Sequence, residues 1–367
     1  MAPAQTQSGD QQKKPSEQAP AEAGGPQGDI GPIIVPKKKP EEAPPPPQRQ
    51  IPKNPEGMPD FSLRVDVQNV QVPVLVTTKE GGFLPGLKKE NFRVYEDGVP
   101  QTITDFRQSE APITAVLLIE FANINYWFMY DAINASYAFA NSLKPEDWVA
   151  VITFDNRPFI LADFTQDKRE IYGAIRKLQI PGFSETNVFD ALYDTLDRLE
   201  GIQGRKYVIL ISRGIDTFSK LNYDKILKKV KETRNVGIYT ISTGEAFRIA
   251  MEARYGNRSE FGAYNMDYLQ ADNQMRTFAN LTGAKWYKPR FEGELPEIFQ
   301  DVAGNIRNQY LITYKPTNAK QDGTYRKLKV ELVAPDGGPL TVKNQKGKTL
   351  KAQVIAREGY TAKHEVE

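Results

Sequence analysis

The chain has 367 residues, 40% of them hydrophobic, with no cysteine, a single histidine and a net charge of +2. That length holds two ordinary domains and a tail, and the composition excludes disulfides, thiolate metal sites and cysteine nucleophiles. With His364 alone near the C-terminus, a Ser-His-Asp triad or a histidine-ligated metal is excluded too, and near-balanced charge points away from nucleic acid.

Residues 1–58 are rich in Pro, Gln, Glu, Lys and Ala and include Pro44-Pro45-Pro46-Pro47. Little here can bury a core, so the segment is expected to be a disordered or polyproline-like spacer. The opening Met1-Ala2-Pro3-Ala4-Gln5 carries small residues at positions that suit the end of a truncated signal peptide. An ordinary disordered N-terminus is the alternative. Together with the lack of cysteine, this favours a periplasmic or extracellular protein over a cytoplasmic one. No apolar run reaches the ~20 residues needed to span a bilayer.

Residues 59–110 alternate apolar and polar along Phe61–Val67 and Val70–Val76, the period of half-buried strands. Phe92-Arg93-Val94-Tyr95 runs into Asp97-Gly98, a hairpin signal, with 101–106 as the returning strand. Some 45 residues are too few to close a β-sandwich alone. Across 111–307 strands and helices then alternate. The spacing predicts strands over 114–119, 148–154, 207–212 and 236–242, an edge strand over 158–161 and a last strand over 284–287. It predicts helices over 127–142, 167–178, 187–200, 222–234, 268–282 and 294–307. The strands are continuous Val/Ile/Leu runs, which suits a doubly wound, mostly parallel sheet covered on both faces. Lys225, Lys228, Lys229 and Lys231 read as a solvated helix face. Residues 308–361 return to strands at 310–314, 325–333 and 351–356. They are expected to complete the sandwich begun by 59–110, with the α/β domain inserted between the two halves. Residues 362–367 form a frayed tail.

Several segments together resemble von Willebrand factor A (VWFA)-related proteins of the acidobacterial type. Leu87–Gly98 is similar to the family's strand pair ahead of the domain. Leu143–Phe154, Phe164-Thr165 and Thr186–Leu192 are similar to its successive junctions, and Ala356-Arg357-Glu358-Gly359-Tyr360 to its closing motif. The resemblance covers about residues 61–361. It implies a Rossmann-like A domain that binds partners and does not catalyse. In such domains three loops above the C-terminal strand ends hold one Mg²⁺ or Mn²⁺ through oxygen ligands.

The resemblance implies a degenerate metal-ion-dependent adhesion site. The first loop reads Glu120-x-Ala122-x-Ile124 where the family has Asp-x-Ser-x-Ser, and Arg213 stands where the second acid belongs. Thr186 keeps its hydroxyl. Glu120 keeps a carboxylate about 1.5 Å further from the backbone. A dication beside a guanidinium is repelled by several kcal/mol: even two unit charges 4 Å apart in a partly buried site repel by about 4 kcal/mol. The expectation is therefore no cofactor, with Arg213 replacing the cation by pairing with Glu120 and donating to Thr186; a solvent-facing Arg213 is the alternative. Residual ligands for a distorted Mg²⁺ or Mn²⁺ site would be Glu120, Thr186 and Asp216.

The segment 243–270 is long for a loop on this crevice face, and its Tyr, Met and Arg content suits an interface. Arg254, Tyr255, Tyr264 and Tyr268 are its partner-binding candidates, joined across the face by Asn123, Asn125, Trp127, Phe183 and Glu185. The alternative is that the segment packs these side chains on its own body. The leading function is a non-catalytic protein–protein interaction or adhesion module with an unidentified protein partner. A cation-dependent adhesion domain is the second reading. An enzyme is the third and least favoured: the chain has no phosphate-binding glycine motif, and Asp155, Asp163 and Asp190 sit at ordinary structural positions.

Overall fold

The computed structural model describes residues 69–78, 82–108, 111–122, 136–137, 139–177, 183–255, 261–334, 337–338, 340–343 and 349–362. The spacer over 1–58, the strand expected over 61–67, the N-terminal part of the helix expected over 127–142, Ile124, Asn123, Asn125 and Trp127 lie outside the described residues.

A six-stranded sheet organises the middle of the chain. It is built from β5 (Ile113–Glu120), β6 (Trp148–Phe154), β7 (Pro158–Thr165), β8 (Arg205–Ser212), β9 (Val236–Ser242) and β10 (Trp286–Tyr287), in the order β10-β9-β8-β5-β6-β7. All neighbours are parallel except β7, which runs antiparallel to β6. All eight residues of β5 are buried, so both faces of the strand need cover. Ala115, Leu117 and Ile119 face one way and pack against α1 (Lys168–Arg176) and α6 (Leu295–Arg307) through Ile171 and Phe299. Val116 and Leu118 face the other way. They pack with α2 (Val188–Glu200), α3 (Tyr223–Glu232) and α5 (Phe261–Thr282) through Leu192, Ile226 and Met275. This is the doubly wound architecture expected of strands without polar alternation.

The flanking segments form two four-stranded antiparallel sheets. One joins β1 (Val70–Thr78) and β4 (Ile103–Gln108) with β11 (Tyr310–Tyr314) and β15 (Ala352–Ala356), in the order β15-β1-β11-β4. The other joins β2 (Phe92–Glu96) and β3 (Val99–Gln101) with β12 (Tyr325–Leu332) and β16 (Gly359–Thr361), in the order β16-β12-β2-β3. Val72, Val74 and Ile312 of the first meet Phe92, Val94 and Leu328 of the second in one core. Each sheet therefore takes strands from both sides of the α/β segment, and β13 (Val342–Lys343) and β14 (Thr349–Leu350) pair as a separate two-stranded ribbon. Buried Glu96 ties the two together, accepting from the Tyr314 hydroxyl at 2.6 Å, the Tyr360 hydroxyl at 2.8 Å and Arg326 at 3.2 Å.

Four expectations are corrected. Lys229 does not lie on a solvated face with its neighbours: it is buried and pairs with Asp197 at 2.9 Å and Glu200 at 2.8 Å on α2. The strand returning from the Asp97-Gly98 turn does not run intact over 101–106. Asp97 and Gly98 both take positive φ (49° and 83°), the primed turn that matches hairpin twist, but only β3 pairs back to β2. The chain then crosses, and β4 pairs with β11 in the other sheet, where Ile103 joins the core. The edge strand expected over 158–161 extends to Thr165. The long loop over 243–270 is largely helical, as α4 (Gly244–Tyr255) followed by α5, which begins at Phe261.

Candidate functional site

The C-terminal ends of β5, β8 and β9 meet beside the loop that precedes α2. Open α/β sheets place ligands at this crevice. The parallel register that pairs Ile119 with Ile211 brings Glu120 to the level of Ser212-Arg213. Glu120 closes β5 with a side chain at 0% exposure, and that of Arg213 is at 5%.

Both Glu120 oxygens are engaged. Oε2 accepts from the Ser212 hydroxyl and from the Arg213 backbone N–H, each at 2.7 Å. Oε1 accepts from Arg213 Nε at 2.7 Å. The guanidinium also donates to the Tyr268 hydroxyl oxygen. Burial pulls the Arg213 pKa down, but the Glu120 charge and its hydrogen bond, with Tyr268, outweigh this and hold it above its ordinary value. The pair is therefore a desolvated, charge-assisted contact between two strand ends.

The surrounding backbone is shaped to the same contact. Gly214 takes φ +76°, and its N–H donates to the Ser212 hydroxyl at 2.8 Å. A Cβ on Gly214 would meet Met275 Cγ at 2.8 Å, and one on Gly244 would meet the Tyr268 ring at 2.6 Å. Helix α5 thus lies hard against both strand-end loops. The Thr243 N–H joins the loops again by donating to the Ser212 carbonyl at 2.9 Å.

Thr186 does not receive a bond from Arg213, contrary to expectation. Its hydroxyl donates to the Ile215 carbonyl, its N–H donates to the Thr217 hydroxyl at 2.9 Å, and its carbonyl accepts from Thr217 and Phe218 N–H. Those bonds lock the loop before α2 to the loop after β8. Asp216 is likewise committed elsewhere. Its Oδ1 accepts from the Ser219 hydroxyl and from Phe189 N–H at 3.3 Å, which places a carboxylate at the start of α2. An acid there is favoured by the helix dipole and by unpaired first-turn N–H groups. Burial raises the Asp216 pKa, and the Ser219 and Phe189 bonds oppose the rise. Ala122 is fully buried and offers no donor. Asp155, Asp163 and Asp190 also serve structure: Asp190 accepts from Lys220 and Leu221 N–H, Asp155 from Arg157 N–H, and Asp163 pairs with Arg198.

The partner-binding candidates divide. Phe183 (47%) and Glu185 are exposed beside Thr186. Tyr268 is only 7% exposed and bonds inward to Arg213, so it belongs to the scaffold. Arg254, Tyr255 and Tyr264 fall on or between helical stretches whose side chains lie outside the described residues. Met266 (67% exposed), in the segment read as interface-like, does face outward, while sequence reasoning missed Phe218 (58%) and Leu269 (55%); together they leave apolar surface on the loop after β8 and on α5. It also missed the rim cluster in which Lys288 bonds Asp272 at 2.8 Å and Glu245 at 3.1 Å, with Arg248 on Glu245 at 2.7 Å. Arg248 and Glu245 are an i, i+3 pair on α4, but the Lys288 contacts join residues 16 and 43 positions apart, which no local spacing signals.

A family model described as "von Willebrand factor type A domain" matches residues 129–215. The chain is similar to the vWF domain of the type V pili tip protein Mfa5 from Porphyromonas gingivalis, at 13% identity over 54% of this chain and 96% of that one, with a TM-score of 0.41. It is similar to the von Willebrand factor type A structure from Catenulispora acidiphila, at 12% identity over 75% of each chain and a TM-score of 0.43. A third similar structure is proximal thread matrix protein 1 from the mussel byssus with a zinc-occupied MIDAS motif, at 16% identity over 57% of this chain and 49% of that one, with a TM-score of 0.40. No curated protein matches.

Proposed function

The chain carries a von Willebrand factor A-related domain, and from that premise we infer a non-catalytic protein–protein interaction module in which a guanidinium occupies the position of the metal. We assign it to the acidobacterial type of these proteins on its flanking motifs. One observation carries the reading: Glu120, the acid best placed to ligate a cation, spends both oxygens on Ser212 and Arg213. The remaining positions do not fit a divalent ion. Thr186 and Asp216 are bound to protein groups, and Ala122 has no side-chain oxygen to offer. Magnesium requires near-ideal octahedral geometry from hard oxygen donors. Bringing a dication in would require breaking the pair and placing like charges together in a dry site.

A metal-bound A domain offers its partner's acid an open coordination position. Here the positive charge is neutralised and sealed below the surface, so recognition falls to the surrounding loops. Phe183 and Phe218 are exposed on the loops before α2 and after β8, and Met266 and Leu269 on α5. Exposed apolar side chains of this kind suit a partner with an apolar contact surface. The cysteine-free composition supports a periplasmic or extracellular setting.

Manganese titration followed by electron paramagnetic resonance tests the reading. The full signal of free Mn²⁺ is expected at every protein concentration up to the millimolar range. Loss of one equivalent of signal per chain would favour the cation-dependent alternative.

A further inference from the structure

At the seam between the central sheet and the flanking sandwich lies a cavity of about 130 Å³, lined by Arg234, Lys315, Lys320, Arg326, Arg357 and Tyr360 among others. Among the described residues, its lining holds five cationic side chains and no Asp or Glu. Arg234 comes from the turn after α3, whereas Lys315, Lys320, Arg326 and Arg357 come from the sandwich. A space of that size admits a small polyatomic ion together with water.

Arg326 is neutralised by Glu96. Arg357 is not. It is 7% exposed, its Nε donates to the Gly359 carbonyl at 2.7 Å, and its terminal nitrogen reaches the Thr233 carbonyl at 3.4 Å. Arg234 donates to the Thr361 carbonyl at 2.9 Å. These carbonyls orient the guanidiniums and latch the closing strand to the end of α3, but they carry no net charge. Among the described residues neither arginine has a carboxylate within ion-pair distance. Burial lowers the pKa of both, and Arg234 lowers that of Arg357 further. A buried charge without a counter-charge is costly, and a like-charged neighbour adds to the cost. Guanidiniums present planar N–H forks matched to oxyanions, and the exposed Lys315 and Lys320 add charge at the rim.

We propose that this seam is a binding site for a single tetrahedral oxyanion of the phosphate class, held between Arg234 and Arg357 with Lys320 at the rim. Bound there, the anion would cross-link the α/β sheet to the sandwich and fix their contact. The site is separate from the Glu120–Arg213 crevice and does not depend on how that crevice is read.

Phosphorus NMR line widths and thermal melting of the full chain test the proposal, in inorganic phosphate against chloride at matched ionic strength. Expected are saturable broadening of the phosphate line and a rise of a few degrees in the melting temperature. Methyl phosphate separates two sources: equal binding indicates a phosphate ester on a larger ligand, and weaker binding the free ion. The Lys315→Gln/Lys320→Gln variant removes two exposed rim cations and should weaken phosphate at least tenfold without altering the melt in chloride. Should that variant melt low, Lys320→Gln alone provides the same comparison. Broadening that does not saturate, or that is unchanged in the variants, would overturn the proposal.

Discussion

Removing the Arg213 guanidinium strands the Glu120 carboxylate where water does not reach. Breaking one side of a buried ion pair costs about 3–5 kcal/mol, because the surviving charge keeps its desolvation penalty. Arg213→Ala should therefore lower the unfolding free energy by about that much in urea. Replacing both partners with apolar residues of similar volume removes the penalty with the attraction. The double variant Glu120→Leu/Arg213→Met should return to within about 2 kcal/mol of wild type. If Arg213→Ala cost under about 1 kcal/mol, the pair would have to be far better solvated than its geometry indicates. This contact was legible in the sequence, since Glu120 and Arg213 each end an apolar strand and carry opposite charges. The Thr186 and Asp216 contacts were not. Both residues lie in loops whose partners, Ile215, Thr217 and Phe189, are set by how two turns meet rather than by residue type.

At the scale of elements, one lysine gives the clearest pH signature. Lys206 lies in β8 and donates to the Leu199 and Ile202 carbonyls at 2.9 and 2.8 Å, at the C-terminal end of α2. A cation there suits the helix dipole, yet burial, partly offset by Glu200, lowers its pKa to about 8. The unfolded chain holds this proton to about pH 10.4, so between those values it binds more protons than the folded one. Stability from this group should accordingly be lowest below pH 8 and rise above it, at up to about 1.36 kcal/mol per pH unit. Buried Tyr207 and Tyr239, whose pKa values burial raises, reverse the slope above about pH 10. Urea melts at pH 7.5 and 9.5 should differ by on the order of 1–2 kcal/mol, and Lys206→Met should flatten that difference. Equal stability of wild type at both pH values would count against a buried Lys206. The elements themselves were mostly readable, because β5, β8 and β9 are unbroken apolar runs of sheet-interior type. Helices α4 and the start of α5 were hidden. Arg248, Met251 and Tyr255, and again Tyr264 and Tyr268, recur at helical spacing, but the stripe mixes polar with apolar residues, and the composition reads as that of a loop.

For the whole molecule, the topology makes the flanking segments mutually dependent. β1 lies between β15 and β11, and β2 lies between β12 and β3. A fragment covering 61–110 loses four of the eight sandwich strands and the Tyr314 and Tyr360 partners of Glu96. It should show no cooperative thermal transition, whereas the chain with 308–362 should. A two-state melt of the fragment would contradict the shared sandwich. Alternation along the sequence indicated that these segments are strands. It could not reveal that β3 and β4, separated by one residue, belong to different sheets, since both alternate equally well.

The central claim is that a guanidinium stands in for the cation. Thermal melting of the wild type in EDTA against millimolar Mg²⁺ and Mn²⁺ tests it most directly. A metal at about 100 times its dissociation constant would add about 2.7 kcal/mol, equivalent to about 5 °C or more in a chain of this size. The account predicts the same melting temperature in all three conditions. A saturable rise of several degrees with either metal would contradict it.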